Sequence, residues 1–310
     1  MEIKNYLKIA RPNHWFKNIL ILPGLVLALL IFPQFSWALI WKIPLAFISV
    51  CLITSANYVI NEWLDAEFDK FHPLKKNRPS VTGGIEKKFV YWEYSFLAAV
   101  GLGLAALISV YFLAVAALLL VMGIIYNVKP FRTKDRVYVD VLSESFNNPI
   151  RFLLGWFIIT DSLALSSSLI IAYWMAGAFL MAVKRYAEYR FIGNKEQAGL
   201  YRRSFRYYDE NNLLLSVLFY AMTFAFFFGV FVVKHRIELL VALPLFSILF
   251  CWYLALGMKN DSPAQRPEEL YREKGFAAFI VFIVLVLTAL LYFHIPLLNY
   301  FLQYNFLLVK

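Results

Sequence analysis

Asn57 to Pro79 reads NYVINEWLDAEFDKFHPLKKNRP, and the folding of this stretch decides how the rest of the chain is arranged. It closes a long apolar run, then sets Glu62, Asp65, Glu67 and Asp69 ahead of Lys70, Lys75, Lys76 and Arg78. If the helix entering it continues to Asp69, then Asn61, Asp65 and Asp69 recur one turn apart along one face, with Glu62 at its side. A small acidic cluster with only oxygen ligands suits a hard cation such as Mg2+, which keeps several waters and takes further ligands from a substrate phosphate. The bases that follow would grip the phosphate. The rival reading is a solvated helix end with ion pairs along its own surface.

Outward from this stretch the chain is apolar. Of its 310 residues 61% are hydrophobic and 18% aromatic, and the mean hydropathy is +0.64. Its apolar runs are long enough to cross a bilayer, so an integral membrane protein is expected. The net charge of +10 does not point to nucleic acid, because bases between membrane spans set topology and meet anionic head groups. Cys51 and Cys251 lie in apolar segments without ligand spacing, and His14, His72, His235 and His294 are dispersed. There is no P-loop, GxSxG elbow or dinucleotide fingerprint, which leaves nucleophilic serine or cysteine catalysis unsupported. Met1 to Lys17 is polar and basic with no small-residue cleavage site after it, so the first span is expected to be retained.

Lys4 to Asn18 reads as an amphipathic helix lying on the membrane, with Tyr6, Ile9, Trp15 and Phe16 in the interface. Nine spans follow, at 19–33, 42–62, 90–108, 110–127, 138–160, 168–187, 212–233, 237–257 and 275–293, with an apolar tail over 295–310. The turn at Ser109 is so short that the third and fourth spans must be antiparallel neighbours. Alternate loops carry 25 of the 30 Lys and Arg residues on one side, which predicts a cytoplasmic N-terminus and an extracytoplasmic C-terminus. The expected fold class is all-α, a polytopic membrane helical bundle of about nine spans forming one domain over 1–310.

Two further polar clusters fall on the side that holds Asp69. In the first, Lys129, Arg132, Lys134 and Arg136 crowd a loop, and Asp140, Glu144, Asn147 and Arg151 then recur along one face of the fifth span. Ionisable groups at such depth face a cavity or one another. The alternative is that Arg151 neutralises Glu144 and pins two helices together. The second is MAVKRYAEYRF, Met181 to Phe191, in which Lys184 and Glu188 lie one turn apart beside Arg185.

These residues resemble a known family. Asn61, Glu62, Asp65 and Asp69 match the NDxxDxxxD signature of UbiA-type intramembrane prenyltransferases, with Glu62 in place of the usual Asp. Within that superfamily the likeness is to the decaprenyl-phosphate phosphoribosyltransferase branch. RPNHWFKN (Arg11 to Asn18) resembles its RPxxWxKN opening, HPLKKNRP (His72 to Pro79) its HPxKxxRP segment, and KRYAE (Lys184 to Glu188) its KRxAE segment. The fifth span departs from the branch, since Ser143, Glu144, Asn147 and Asn148 stand where small apolar residues precede its LR, here Ile150 and Arg151.

The resemblance implies a UbiA-like fold in a bacterial inner membrane and Mg2+-dependent transfer of a phosphoribosyl or related phosphosugar group. The donor would be phosphoribosyl diphosphate or another diphosphate, and the acceptor polyprenyl phosphate. The implied metal ligands are Asn61, Glu62, Asp65 and Asp69, the catalytic set is Asp65, Asp69, Asp140, Glu144 and Glu188, and the substrate-binding set is Lys17, Asn18, Lys75, Arg78, Lys129, Arg151, Lys184 and Arg185. Two alternatives remain at this point. One is prenyl transfer from a polyprenyl diphosphate to an aromatic or other acceptor. The other is a transporter of lipids or metabolites that uses the same intramembrane charges as a pathway.

Overall fold

A long apolar segment satisfies its backbone polar groups inside a bilayer by closing them within a helix, and helices account for every regular element found here. The structure, a computed structural model, describes residues 3–33, 36–265 and 267–295, and no strand occurs among them. All but Ile295 of the expected tail, 295–310, lies outside the described residues, as does the placement of the C-terminus.

Among the described residues eight helical runs are long and apolar enough to cross a membrane: Lys4–Ile31, Ala38–Asp69, Lys87–Ala106, Val110–Asn127, Ser167–Ile192, Glu210–His235, Ile237–Gly257 and Lys274–Tyr292. The chain divides into two compact units interleaved in sequence, residues 1–164 with 189–213, and residues 165–188 with 214–310.

The first unit contains α1 (Ile3–Ala10), α2 (Leu22–Ile31), α3 (Ala38–Asp69), α4 (Lys87–Ala106), α5 (Val110–Asn127), α6 (Val139–Ser145) and α7 (Asn147–Ile159). At its centre α3 packs against α4 and α5, and α2 packs against α7. With 32 residues and about 1.5 Å of rise for each, α3 is about 48 Å long, whereas the hydrocarbon core is about 30 Å thick. The helix is thus longer than one crossing needs, and it ends on the charged stretch Glu62 to Asp69. The tight α4–α5 connection is stabilised by Ser109, whose hydroxyl accepts from the Phe112 amide at 3.1 Å and caps α5, and the two helices pack as neighbours.

The N-terminal segment differs from expectation in two ways. It is not one helix, because Arg11 takes a left-handed conformation (φ 50°, ψ 57°) between α1 and a 3-10 segment, Pro12–Ile21. Proline disfavours the right-handed helical region in the residue before it. Nor does its apolar face meet lipid throughout. Tyr6 and Ile9 are buried against Val59 and Val90, while Trp15 and Phe16 are exposed. The Tyr6 hydroxyl accepts from the Glu86 amide at 3.0 Å. Composition shows that a helix has an apolar face but not whether protein or lipid covers it.

The fifth expected span, 138–160, is broken at Phe146 into α6 and α7, of seven and thirteen residues. Pro149 has no N–H to give the Ser145 carbonyl, and in a continuous helix its ring would crowd that group. The break places it in the first turn of α7, where proline is tolerated. Asn147 donates its side-chain amide to the Glu144 carbonyl at 3.0 Å. Asp140 and Glu144 therefore sit on a different helix from Arg151, and the expected single stripe is divided.

Two glycines bring α7 against the N-terminal run. A Cβ on Gly24 would stand 1.9 Å from the Phe152 carbonyl oxygen, and one on Gly155 would stand 2.0 Å from that of Ile21. Small residues allow such backbone approach between membrane helices. Gly155→Ala must push these helices apart, and it is expected to cost about 1–3 kcal/mol, as overpacking does. A clear drop in the melting temperature of the detergent-solubilised protein is the check.

The second unit contains most of α8 (Ser167–Ile192) and of α10 (Glu210–His235), with α11 (Leu243–Gly257) and α12 (Lys274–Tyr292), while α9 (Lys195–Tyr201) belongs to the first. Aromatic packing joins α8, α10 and α11. Phe179 stacks on Phe250 at 4.1 Å, and Phe224 meets Phe250 at 4.9 Å.

Candidate active site

The helix entering the decisive stretch does continue through Asp69, and its last turns carry the site. Asp65 and Asp69, one turn apart, line a cleft together with Phe68, Arg132, Lys134, Asp135, Tyr201 and Arg202. Each group is held by residues distant in sequence. One oxygen of Asp65 accepts from Arg132 Nη2 at 3.0 Å and from Lys134 Nζ, and the other accepts from the Asn61 amide at 3.2 Å. Asn127 closes the ring, since its side-chain oxygen accepts from Asn61 and, at 2.8 Å, from Lys134. Asp69 is paired with Arg78.

The loop after α5 supplies the cations through a strained backbone. Arg132 has a positive φ of 29°, and its guanidinium bonds the Asn127 carbonyl at 3.0 Å, Asp135 at 3.1 Å and Asp65 at 3.0 Å. Strain of this kind persists only where the surroundings over-determine it, and such positions cluster at functional sites. Burial pushes the Lys134 ammonium down to about 8, against the opposing pull of Asp65. Burial also opposes the charge of Arg78, but the carboxylates of Asp69 and Glu62 outweigh it and hold its pKa above the usual value.

The remaining expected residues are distributed around this centre. Glu62 is buried outside the cleft lining, 2.6 Å from Arg11 and 4.0 Å from Arg78. Lys75 donates to the Tyr201 hydroxyl and lies over its ring. His72 accepts from the Leu74 and Lys75 amides at 3.1 and 3.3 Å, which shapes the loop that presents Lys75. Asn18 is buried, donates to Thr54 at 3.3 Å and accepts from Arg151 at 3.1 Å. Lys17 lies 3.3 Å from His14, and Lys129 is exposed. Asp140 is fully buried against Ser204 and Tyr208, and Glu144 accepts from the Tyr126 hydroxyl at 2.6 Å. Lys184, Arg185 and Glu188 belong to the second unit, where Arg185 faces Glu188 at 3.6 Å.

Arg11, Asn127, Arg132, Lys134, Asp135, Tyr201 and Arg202 were not among the expected site residues. The loop bases are visible in the sequence, but nothing in their spacing favours Lys134 over Lys129. The Arg11–Glu62 pair spans 51 positions and has no local signature. Arg11→Ala would take the nearer of two guanidiniums from a buried carboxylate and leave Arg78 at 4.0 Å, and it is expected to destabilise by about 3 kcal/mol. Adding Glu62→Gln should recover much of the loss in a thermal melt.

The donor set fits a hard cation. Three carboxylates, Asp65, Asp69 and Asp135, line one cleft with no sulfur or imidazole ligand beside them. Among the described residues no group of three or more acidic, His or Cys side chains is close enough to cage an ion alone. The fit is therefore to a cation completed by phosphate oxygens, the usual manner of Mg2+.

An all-helical, polytopic membrane protein with acidic and basic side chains gathered in one cleft at a helix end is the class that fold and site define. The UbiA prenyltransferase family model matches residues 19–283. The chain belongs to that family of prenyltransferases. Decaprenyl-phosphate phosphoribosyltransferase of Mycolicibacterium smegmatis is 27% identical over 187 residues, 60% of this chain and 57% of that protein. Protoheme IX farnesyltransferase 1 of Bacillus cytotoxicus is 28% identical over 202 residues, 63% of this chain and 65% of that protein. The chain thus spans less than two thirds of the length of either relative. A solved UbiA homolog from Archaeoglobus fulgidus, bound to GPP and Mg2+, shares the fold with a TM-score of 0.68 at 21% identity, over 92% of this chain and 99% of that one.

Proposed function

We propose that this enzyme transfers a phosphoribosyl, or closely related phosphosugar, group from a diphosphate donor to polyprenyl phosphate at the cytoplasmic face of a bacterial inner membrane. The observation that supports it is the meeting of Asp65 and Asp69 with Arg132, Lys134 and Arg202 in one cleft. The likeness to the M. smegmatis phosphoribosyltransferase supports the choice of donor and acceptor.

In this reading the cations of the cleft, with Lys75 and Arg78 beside them, bind the donor diphosphate and neutralise charge as the bond from the sugar carbon to the diphosphate oxygen breaks. An oxygen of the lipid phosphate forms the new bond to that carbon, and inorganic diphosphate leaves. An ionised lipid phosphate is already nucleophilic, so the chain needs no strong general base. Asp65 and Asp69, assisted by Asn61, would hold Mg2+, which when bound supplies positive charge to the departing oxygens. Within the first unit Lys17, Asn18, Lys129 and Arg151 are assigned to substrate binding. The apolar helix surfaces hold the isoprenoid tail.

A second reading is prenyl transfer from a polyprenyl diphosphate, favoured by the B. cytotoxicus farnesyltransferase and the GPP-bound structural neighbour. The two are separated by incubating the purified chain with Mg2+, labelled phosphoribosyl diphosphate and polyprenyl phosphate. A labelled lipid is the expected product. Prenylation of an aromatic acceptor with no labelled lipid would select the second reading.

A further inference from the structure

We propose that Arg202 is a phosphate-binding residue of the cleft and that Asp140 acts through it as a positioning residue. This rests on the reading of the cleft as a diphosphate site.

The end of α9 and the segment after it enter the cleft through Tyr201 and Arg202, and four contacts near the start of α6 fix that segment. Tyr208 donates its hydroxyl to Asp140 Oδ1 at 2.9 Å, and Ser204 donates to Oδ2 at 3.2 Å. The Tyr138 amide donates to the Tyr208 hydroxyl at 2.6 Å, and the two rings meet edge to face at 5.5 Å. Tyr138 adopts a φ of 62° to make this approach, a conformation that costs a non-glycine residue free energy and persists where neighbours enforce it.

Asp140 is thereby removed from direct chemistry. Its side chain is fully buried, both oxygens have hydroxyl donors, and it does not line the cleft. What it offers the cleft is its charge, 3.6 Å from Arg202 Nη1. The same guanidinium nitrogen donates to the Tyr126 hydroxyl at 3.4 Å, and that hydroxyl donates in turn to Glu144. Two carboxylates on α6 therefore aim Arg202, one directly and one through a tyrosine.

The cations of the cleft differ in their partners. Arg132 and Lys134 both hold Asp65, the carboxylate assigned to the cation. Arg202 is anchored by Asp140, a carboxylate 3.6 Å away that stands outside the lining and is not assigned to the cation, and it lines the cleft from that anchor. A guanidinium presents a planar fork of donors suited to phosphate. Holding that fork in place beforehand lowers the ordering cost of binding.

The test uses the purified full chain with Mg2+ and labelled inorganic pyrophosphate, whose binding is measured by equilibrium dialysis for wild type, Arg202→Gln, Arg202→Lys, Asp140→Asn and the Asp140→Asn/Arg202→Gln pair. Arg202→Gln is expected to weaken binding about 10- to 100-fold, the range of a charged hydrogen bond, with partial recovery in Arg202→Lys. Asp140→Asn is expected to weaken it by a smaller factor that disappears in the Arg202→Gln background, the sign of one residue acting through another. Tyr208→Phe, which removes one donor to Asp140 and keeps the ring, should act in the same direction as Asp140→Asn. Wild-type affinity in Arg202→Gln would overturn the proposal and leave the diphosphate reading standing. An Asp140→Asn effect of equal size in both backgrounds would show a merely structural role and overturn the positioning. No pyrophosphate binding by wild type would overturn both this proposal and the reading beneath it.

Discussion

Asp65→Asn is expected to lower transfer by about 10³-fold, the upper range for loss of one preorganised electrostatic group, while the protein stays folded. Asp65 is where the two halves of the cleft meet. One of its oxygens receives both Arg132 and Lys134, and the other receives Asn61. An amide at this position keeps the shape but removes the negative charge that would hold the cation and the two bases in register. The fold should survive because each partner keeps a second anchor, Arg132 on Asp135 and the Asn127 carbonyl, and Lys134 on the Asn127 side chain. Steady-state transfer assays beside thermal melts of the same preparation decide the matter. Full activity in Asp65→Asn would remove the residue from the chemistry.

The second large effect is expected at Arg132, where backbone and side chain make separate demands. Removing the guanidinium, as Ala or as Gly, should lower kcat/KM by about 10²-fold, because an electrostatic contact made in the cleft is lost. The two variants should differ in stability. At a φ of 29° alanine retains the backbone strain without the three bonds that enforce it, whereas glycine visits positive φ at little cost. Arg132→Gly is therefore expected to be more stable than Arg132→Ala by about 1 kcal/mol or more, despite equal loss of activity. Equal melting temperatures would show that the strain is relieved elsewhere.

The part of this site carried by one helix was legible in the sequence. Asn61, Asp65 and Asp69 recur at the helical repeat, and the helix does run to Asp69, so periodicity alone put them on one face. Membrane helices announce themselves by composition, and the charge pattern marked which loops to read together. What periodicity cannot carry is contact between distant segments. Arg11 meets Glu62, Arg132 meets Asp65 and Arg202 meets Asp140 across 51, 67 and 62 positions, as their residue numbers give. A row of loop bases looks alike until the fold sorts them, as it buries Arg132 and Lys134 and leaves Lys129 exposed. The break at Phe146 was foreshadowed by Pro149. Its consequence, that Asp140 turns toward Tyr208 and Ser204, depends on a loop more than fifty residues further on.

The central claim is that the carboxylates ending α3 and the cations beside them form one compartment for a divalent ion and a diphosphate together. The most direct measurement is Mn2+ binding, followed by electron paramagnetic resonance of the free ion, in the purified chain with and without inorganic pyrophosphate. The account predicts that pyrophosphate tightens Mn2+ binding in the wild type and that this cooperation is lost in Asp65→Asn/Asp69→Asn. Mn2+ binding indifferent to pyrophosphate, or cooperation that survives the double substitution, would contradict it.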